Sequence, residues 1–213
     1  MKSAKRSRMQ SVKRTMMGTI VRWSLTIIVG LAAGLLSARW VMTSPTGSFV
    51  QTRGDIWRTS LDVGSTHANP YVRALVAKRG LLALSAKETI YYGTSKDSDG
   101  RPLREACDYE ISGTSLPARW WSITLYAGDD FLAVNNDDAP SIDATTIASG
   151  PSGAWTGRIS RERAGAANWI SSKAAGDLAL SIRMYNPAPT VLAHPLEVDL
   201  PTIKRLDCAG NPS

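Results

Sequence analysis

The chain has 213 residues, 43% of them hydrophobic and 20% charged, and a formal net charge of +7. Seven basic residues, Lys2, Lys5, Arg6, Arg8, Lys13, Arg14 and Arg22, precede residue 23 with no acidic residue among them, and the other 18 are matched by 18 acidic residues. The high pI therefore comes from the N-terminal tail, which argues against a basic nucleic-acid-binding face on the rest; two His and two Cys without a CxxC exclude a structural zinc site of the usual spacing.

After the basic tail, 1–22, comes an apolar run, 23–42. Trp23 to Trp40 would be about 27 Å long as a helix, close to the ~30 Å hydrocarbon core of a bilayer. Tryptophans mark both ends, and Arg39, the one charge inside, sits where a long side chain can snorkel to the interface. The upstream charges place the N-terminus in the cytoplasm and the C-terminal domain outside. The rival reading is a cleaved signal peptide, whose best site, before Arg39, has the bulky Leu36 at its −3 position. Gly30, Gly34 and Ala38 repeat at four-residue steps, a pattern that lets two membrane helices approach closely and would support a homodimer.

Residues 43–66 are rich in Gly, Ser and Thr and read as a tether and loop, with Phe49, Ile56 and Trp57 docking on the domain that follows. Asn69-Pro70 opens a helix: Asn69 can cap, Pro70 suits the first position, Val72, Leu75 and Val76 share a face, and Gly80 can close it.

From Lys87 the hydrophobic period changes to two. Strands are expected around 88–92 and 107–112. Trp121, Ile123 and Leu125 alternate with Trp120, Ser122, Thr124 and Tyr126, and Leu178, Leu180, Ile182 and Met184 alternate with Ala179, Ser181, Arg183 and Tyr185. A Gly-Asp-Asp turn at 128–130 is expected to lead into a short second strand. Weaker strands are expected at 155–160, 197–200 and 203–208. Many short strands between Gly, Pro and Asp turns predict a mainly β fold, an antiparallel, jelly-roll-like β-sandwich over residues 67–213, wet on one side of each sheet. An outward topology puts Cys107 and Cys208 in an oxidising compartment and predicts a disulfide between them, against two buried thiols as the alternative.

The strings PYVRALVAKRGLLALSAKETIYYGTSKDSDGRPL, CDYEISG, PARWWSITLY, ANWI, LSIRMYNP and LPTIKRLDC, in that order, resemble the bacterial family known as domain of unknown function 1214. The resemblance covers roughly residues 55–210. It implies a β-sandwich, jelly-roll-like fold, found in members either short and membrane-anchored or fused behind a companion domain, and it supplies no catalytic residue; the outward topology read from the charges puts the domain in the periplasm.

Three candidate sites emerge. Arg119, Trp120, Tyr126, Arg183 and Tyr185 would gather rings and guanidiniums on one surface if their strands pair, a surface suited to sugars or anions; the competing reading is a second packing layer with each Arg held by Asp129 or Asp130. The acidic set Asp129, Asp130, Asp137, Asp138 and Asp143 lacks EF-hand spacing and reads as turn residues. Asn168-Trp169 reads as a packed Trp beside a turn Asn. No GxSxG or metal set is present, so no catalytic residue, metal or cofactor is assigned. The expected role is a membrane-anchored envelope module that binds a glycan, lipid headgroup or protein. The alternative is a membrane-tethered enzyme with a carboxylate-based site in the sandwich.

Overall fold

The computed structural model describes residues 2–43, 51–53, 56–78 and 83–209. They form two compact units, divided between Gly47 and Ser48.

The first unit is one helix, α1 (Lys2–Thr43), which runs through the basic tail without a break at Trp23. Its segment Thr19–Trp40 is long and apolar enough to cross a membrane, a test of length and composition that a signal sequence also passes. Two hydroxyls within this segment return to the helix backbone, Thr26 Oγ1 to the Arg22 carbonyl and Ser37 Oγ to that of Gly34. Such back-bonding is a common habit of Ser and Thr inside helices.

The second unit holds the strands β1 (Gln51–Arg53), β2 (Trp57–Thr59), β3 (Thr89–Thr94), β4 (Cys107–Gly113), β5 (Ala118–Ala127), β6 (Ser141–Asp143), β7 (Trp155–Ser160), β8 (Trp169–Ser171), β9 (Leu178–Pro187) and β10 (Thr202–Cys208), with helices α2 (Pro70–Lys78) and α3 (Pro189–Ala193). One sheet has the order β1-β2-β3-β9-β5-β6 and the other β10-β4-β7-β8. Alternation sends Ile90, Tyr92, Trp121, Ile123, Leu125, Leu180, Ile182 and Met184 of the first sheet into the same buried cluster as Tyr109, Ile111, Ile159, Ile170 and Ile203 of the second. The rings of Trp121 and Trp155 stack within it, centroids 5.6 Å apart. This is the expected β-sandwich, with one departure: β7 and β8 pair in parallel, because β8 follows a crossover loop rather than a hairpin turn.

Other departures concern short elements. The stretch 43–66 carries β1 and β2, three residues each, too brief to show a period of two. Trp57 docks in the core as expected, its Nε1 donating to the Pro201 carbonyl at 2.9 Å; Phe49 lies outside the described residues. Phe131–Val134 forms no strand; β5 pairs instead with Ser141–Asp143. Residues 197–200 form no strand, and the prolines after β9 give α3 instead. Helix α2 starts as read, with Asn69 Oδ1 accepting the amides of Tyr71 and Val72 at 2.9 and 3.0 Å; Gly80 is outside the described residues.

Cys107 and Cys208 face each other across β4 and β10 and are bonded, their Cα atoms 3.9 Å apart. Close by, the loop after β3 is fastened by Asp97, whose side chain is fully buried. Asp97 Oδ1 accepts the amides of Asp99 and Arg101. Its Oδ2 accepts Arg101 Nε at 3.0 Å and forms an ion pair with Arg205 Nε at the same distance.

Candidate functional site

The alternation that fills the core also composes the outer face of the six-stranded sheet. On β5 and β9 the outward pairs are Trp120 with Tyr185, Ser122 with Arg183, Thr124 with Ser181, and Tyr126 with Ala179. On β3 the same face continues with Thr89 beside Tyr185, Tyr91 beside Arg183 and Gly93 beside Ser181. Arg58 of β2 lies opposite Gly93.

Four of the five residues singled out from the sequence therefore share a surface. Trp120 and Tyr185 meet ring to ring, centroids 5.3 Å apart and tilted by 56°, an edge-biased geometry favoured by ring quadrupoles. Trp120 Nε1 donates to Thr145 Oγ1 at 2.9 Å, fixing the indole. The Arg183 side chain runs along the strands: one terminal nitrogen donates to Thr124 Oγ1 at 3.3 Å and the other to the Tyr126 hydroxyl. Its guanidinium carbon lies 5.6 Å from the Tyr126 ring centroid, within cation–π range. Arg119 does not join them. It is exposed and, one residue before Trp120, projects by alternation to the other side of β5.

The partners of Arg183 are hydroxyls and a ring, and neither Asp129 nor Asp130 pairs with it. Asp129 Oδ1 instead accepts the Phe131 amide, Asp137 accepts the Ser171 hydroxyl, and Asp143 caps the turn after β6 by accepting the amides of Thr145 and Thr146. Asp129 and Asp143 thus play Asx-turn roles, while Asp137 ties its loop to β8. Among the described residues, no group of three His, Cys, Asp or Glu is placed to hold a metal ion. Asn168 is buried and clamps three backbone groups, the amide and carbonyl of Ala148 and the carbonyl of Thr156, while Trp169 Nε1 reaches Ser160.

Sequence reading missed Arg58, which sits in the stretch taken as a tether, where a three-residue strand leaves no pattern. It also missed Glu105. That carboxylate accepts the Ala174 amide at 3.0 Å and the Gly176 amide at 2.9 Å, in a loop where Ala174 and Gly176 adopt positive φ. The Gly176 amide foremost, helped by that of Ala174 and the Arg161 guanidinium, holds the carboxyl below the usual glutamate value against the opposing effect of burial, which ranks second to the Gly176 amide.

Elsewhere, an open groove of about 590 Å³ lies at the end of the four-stranded sheet among Ser112, Gly113, Trp155, Thr156, Asp199 and Thr202. It is lined by hydroxyls, backbone and one carboxylate, and contains none of the residues singled out from sequence.

Residues 88–189 match the family described as "Protein of unknown function (DUF1214)". Among solved structures, the VPA0106 protein of Vibrio parahaemolyticus is similar at 22% identity and a TM-score of 0.55, over 66% of this chain and 36% of that one. An uncharacterised protein of Burkholderia cenocepacia is similar at 16% identity and a TM-score of 0.42, over 85% of this chain and 44% of that one. The chain thus spans less than half the length of either. No curated protein matches it.

Proposed function

With residues 88–189 belonging to the DUF1214 family, we propose that this chain is a membrane-anchored binding module whose outer six-stranded face holds a glycan of the bacterial envelope. The observation that carries this reading is Arg183, a half-buried cation positioned by two hydroxyls and a ring, beside the Trp120–Tyr185 ring pair. A guanidinium oriented by neutral groups keeps its charge for a ligand, and rings held on a sheet offer flat stacking surfaces to sugars.

In this reading Thr19–Trp40 anchors the chain, the basic tail stays in the cytoplasm and residues 48–213 lie in the periplasm. The Cys107–Cys208 bond supports an oxidising compartment for the domain. Fusions of alkaline phosphatase and of green fluorescent protein to the C-terminus test the orientation: phosphatase activity is expected, and fluorescence alone would reverse it. Two copies associate through the face of Gly30, Gly34 and Ala38, and Gly34→Leu is expected to weaken self-association in a membrane reporter assay. Glycan binding is tested with the full chain in neutral detergent, titrated with oligosaccharides released from bacterial envelopes. The double variant Trp120→Ala/Tyr185→Ala should bind about tenfold more weakly, since each ring contributes roughly 0.5–1.5 kcal/mol beyond its buried area. Unchanged affinity in that variant would remove the face from consideration.

A further inference from the structure

Gly93 leaves a gap in the outer layer that its backbone does not require. It is a strand residue without the positive φ that calls for glycine, and among the described residues a Cβ built there would meet only the Leu180 carbonyl oxygen, at 3.8 Å. Glycine inside a strand weakens it and often marks close approach of a ligand. Across the sheet, Gly93 lies between Arg58 of β2 and Ser181 of β9. At strand spacings of about 4.8 Å, the Cα atoms of Arg58 and Ser181 are roughly 10 Å apart. The floor between them carries only a hydrogen and a small hydroxymethyl group.

Both sides of this gap carry positive charge without an opposing carboxylate among the described residues. Arg183 spends donors on Thr124 and Tyr126 and has five in all; no carboxylate pairs with it among the described residues. Arg58 is half-buried, and its side chain makes no hydrogen bond or ion pair among them. A guanidinium removed from water without a counter-charge is costly, and two on one face point to an anion that arrives from outside. Asp143, opposite Ser122 on the same face, is occupied by the Thr145 and Thr146 amides. The inner strands spend their own amides on the sheet, so the gap offers guanidinium forks, which match a planar carboxylate.

Resting on the glycan reading above, we infer that the gap over Gly93 and Ser181, between Arg58 and Arg183, is a subsite for the carboxylate of an acidic sugar. The rings of Tyr91 and Tyr126 flank the two arginines, and the Trp120–Tyr185 pair lies further along the face.

The test uses the full chain in neutral detergent and three probes: trigalacturonate, its methyl ester and inorganic phosphate. The acid is expected to bind at least about ten times more tightly than the ester, the difference one charge-assisted pair supplies. Gly93→Val fills the gap with a strand-favouring side chain, and Arg58→Gln removes one cation. Each should lose that tenfold advantage for the acid, leave the ester's affinity unchanged and keep the melting temperature at or above that of the parent. Equal binding of ester and acid overturns the subsite but leaves the glycan-binding face standing. Phosphate binding more tightly than the acid overturns the carboxylate assignment. If neither sugar binds, the subsite is overturned, and the envelope oligosaccharides with the ring variants decide the broader reading separately.

Discussion

Asp97 shows how much one residue decides that pattern alone does not reveal. Within Lys96-Asp97-Ser98-Asp99-Gly100 it looks like a turn former; in the fold it is fully buried and joins Arg101 to Arg205, 108 residues further along. Removing one partner of a buried pair strands the other's charge, so Asp97→Ala should lower stability by about 3 kcal/mol in urea unfolding. Glu105 makes a gentler, pH-dependent contribution. Its folded pKa is lowered, chiefly by the Gly176 amide, so the folded state binds its proton less readily than the unfolded state does. The contribution is therefore complete above the ordinary glutamate pKa of about 4.3 and disappears as pH falls through the depressed folded value. The stability gap between the parent and Glu105→Gln should be constant from pH 7 to about pH 5 and close toward pH 3. A gap that persisted at pH 3 would mean the amide cradle acts by shape rather than charge.

At the scale of elements, long alternating strands were legible and short ones were not. β5 and β9, ten residues each, declare both their faces in sequence, which puts Trp120 with Tyr126 and Arg183 with Tyr185; bringing the two pairs together took the β5–β9 pairing that only the structure supplies. β1, β2, β6 and β8 have three residues each, and their pairing depends on neighbours that local pattern cannot name. Arg58 and the gap at Gly93 were invisible for that reason: the first needs β2, the second needs the register of β3 against β9. The apolar run Phe131–Val134 misled in the other direction. Hydrophobic residues suggested a strand, yet Phe131, Leu132 and Val134 are exposed on the loop that follows β5. The β4–β10 disulfide was legible from compartment logic. It closes a separation of 101 residues, for which chain entropy sets an upper figure of about 4.7 kcal/mol. Cys107→Ser/Cys208→Ser should lose roughly 2–5 kcal/mol, and reducing the parent should reproduce the loss. Equal stability of oxidised and reduced parent would show that β10 is held by its strand pairing and the Asp97–Arg205 ion pair alone.

For the whole molecule, charge and hydropathy divided the chain into a helical, basic-then-apolar segment and a charge-balanced β domain, and the structure has its compact units on either side of residue 47. Sheet order was beyond reach from sequence, because β3 pairs with β9 across more than 80 residues of intervening chain. Two surfaces compete for the ligand: the ring-and-guanidinium face of the six-stranded sheet and the hydroxyl-lined groove beside Trp155. Trp155 is buried, whereas Leu200 of the groove is partly exposed, so hydroxyl-radical footprinting of the full chain, with and without envelope oligosaccharides, separates them in one measurement through Leu200. The account predicts reduced oxidation of Trp120, Tyr126 and Tyr185 on adding the sugars, with Leu200 unchanged. Protection of Leu200 with no change at Trp120 and Tyr185 would contradict it.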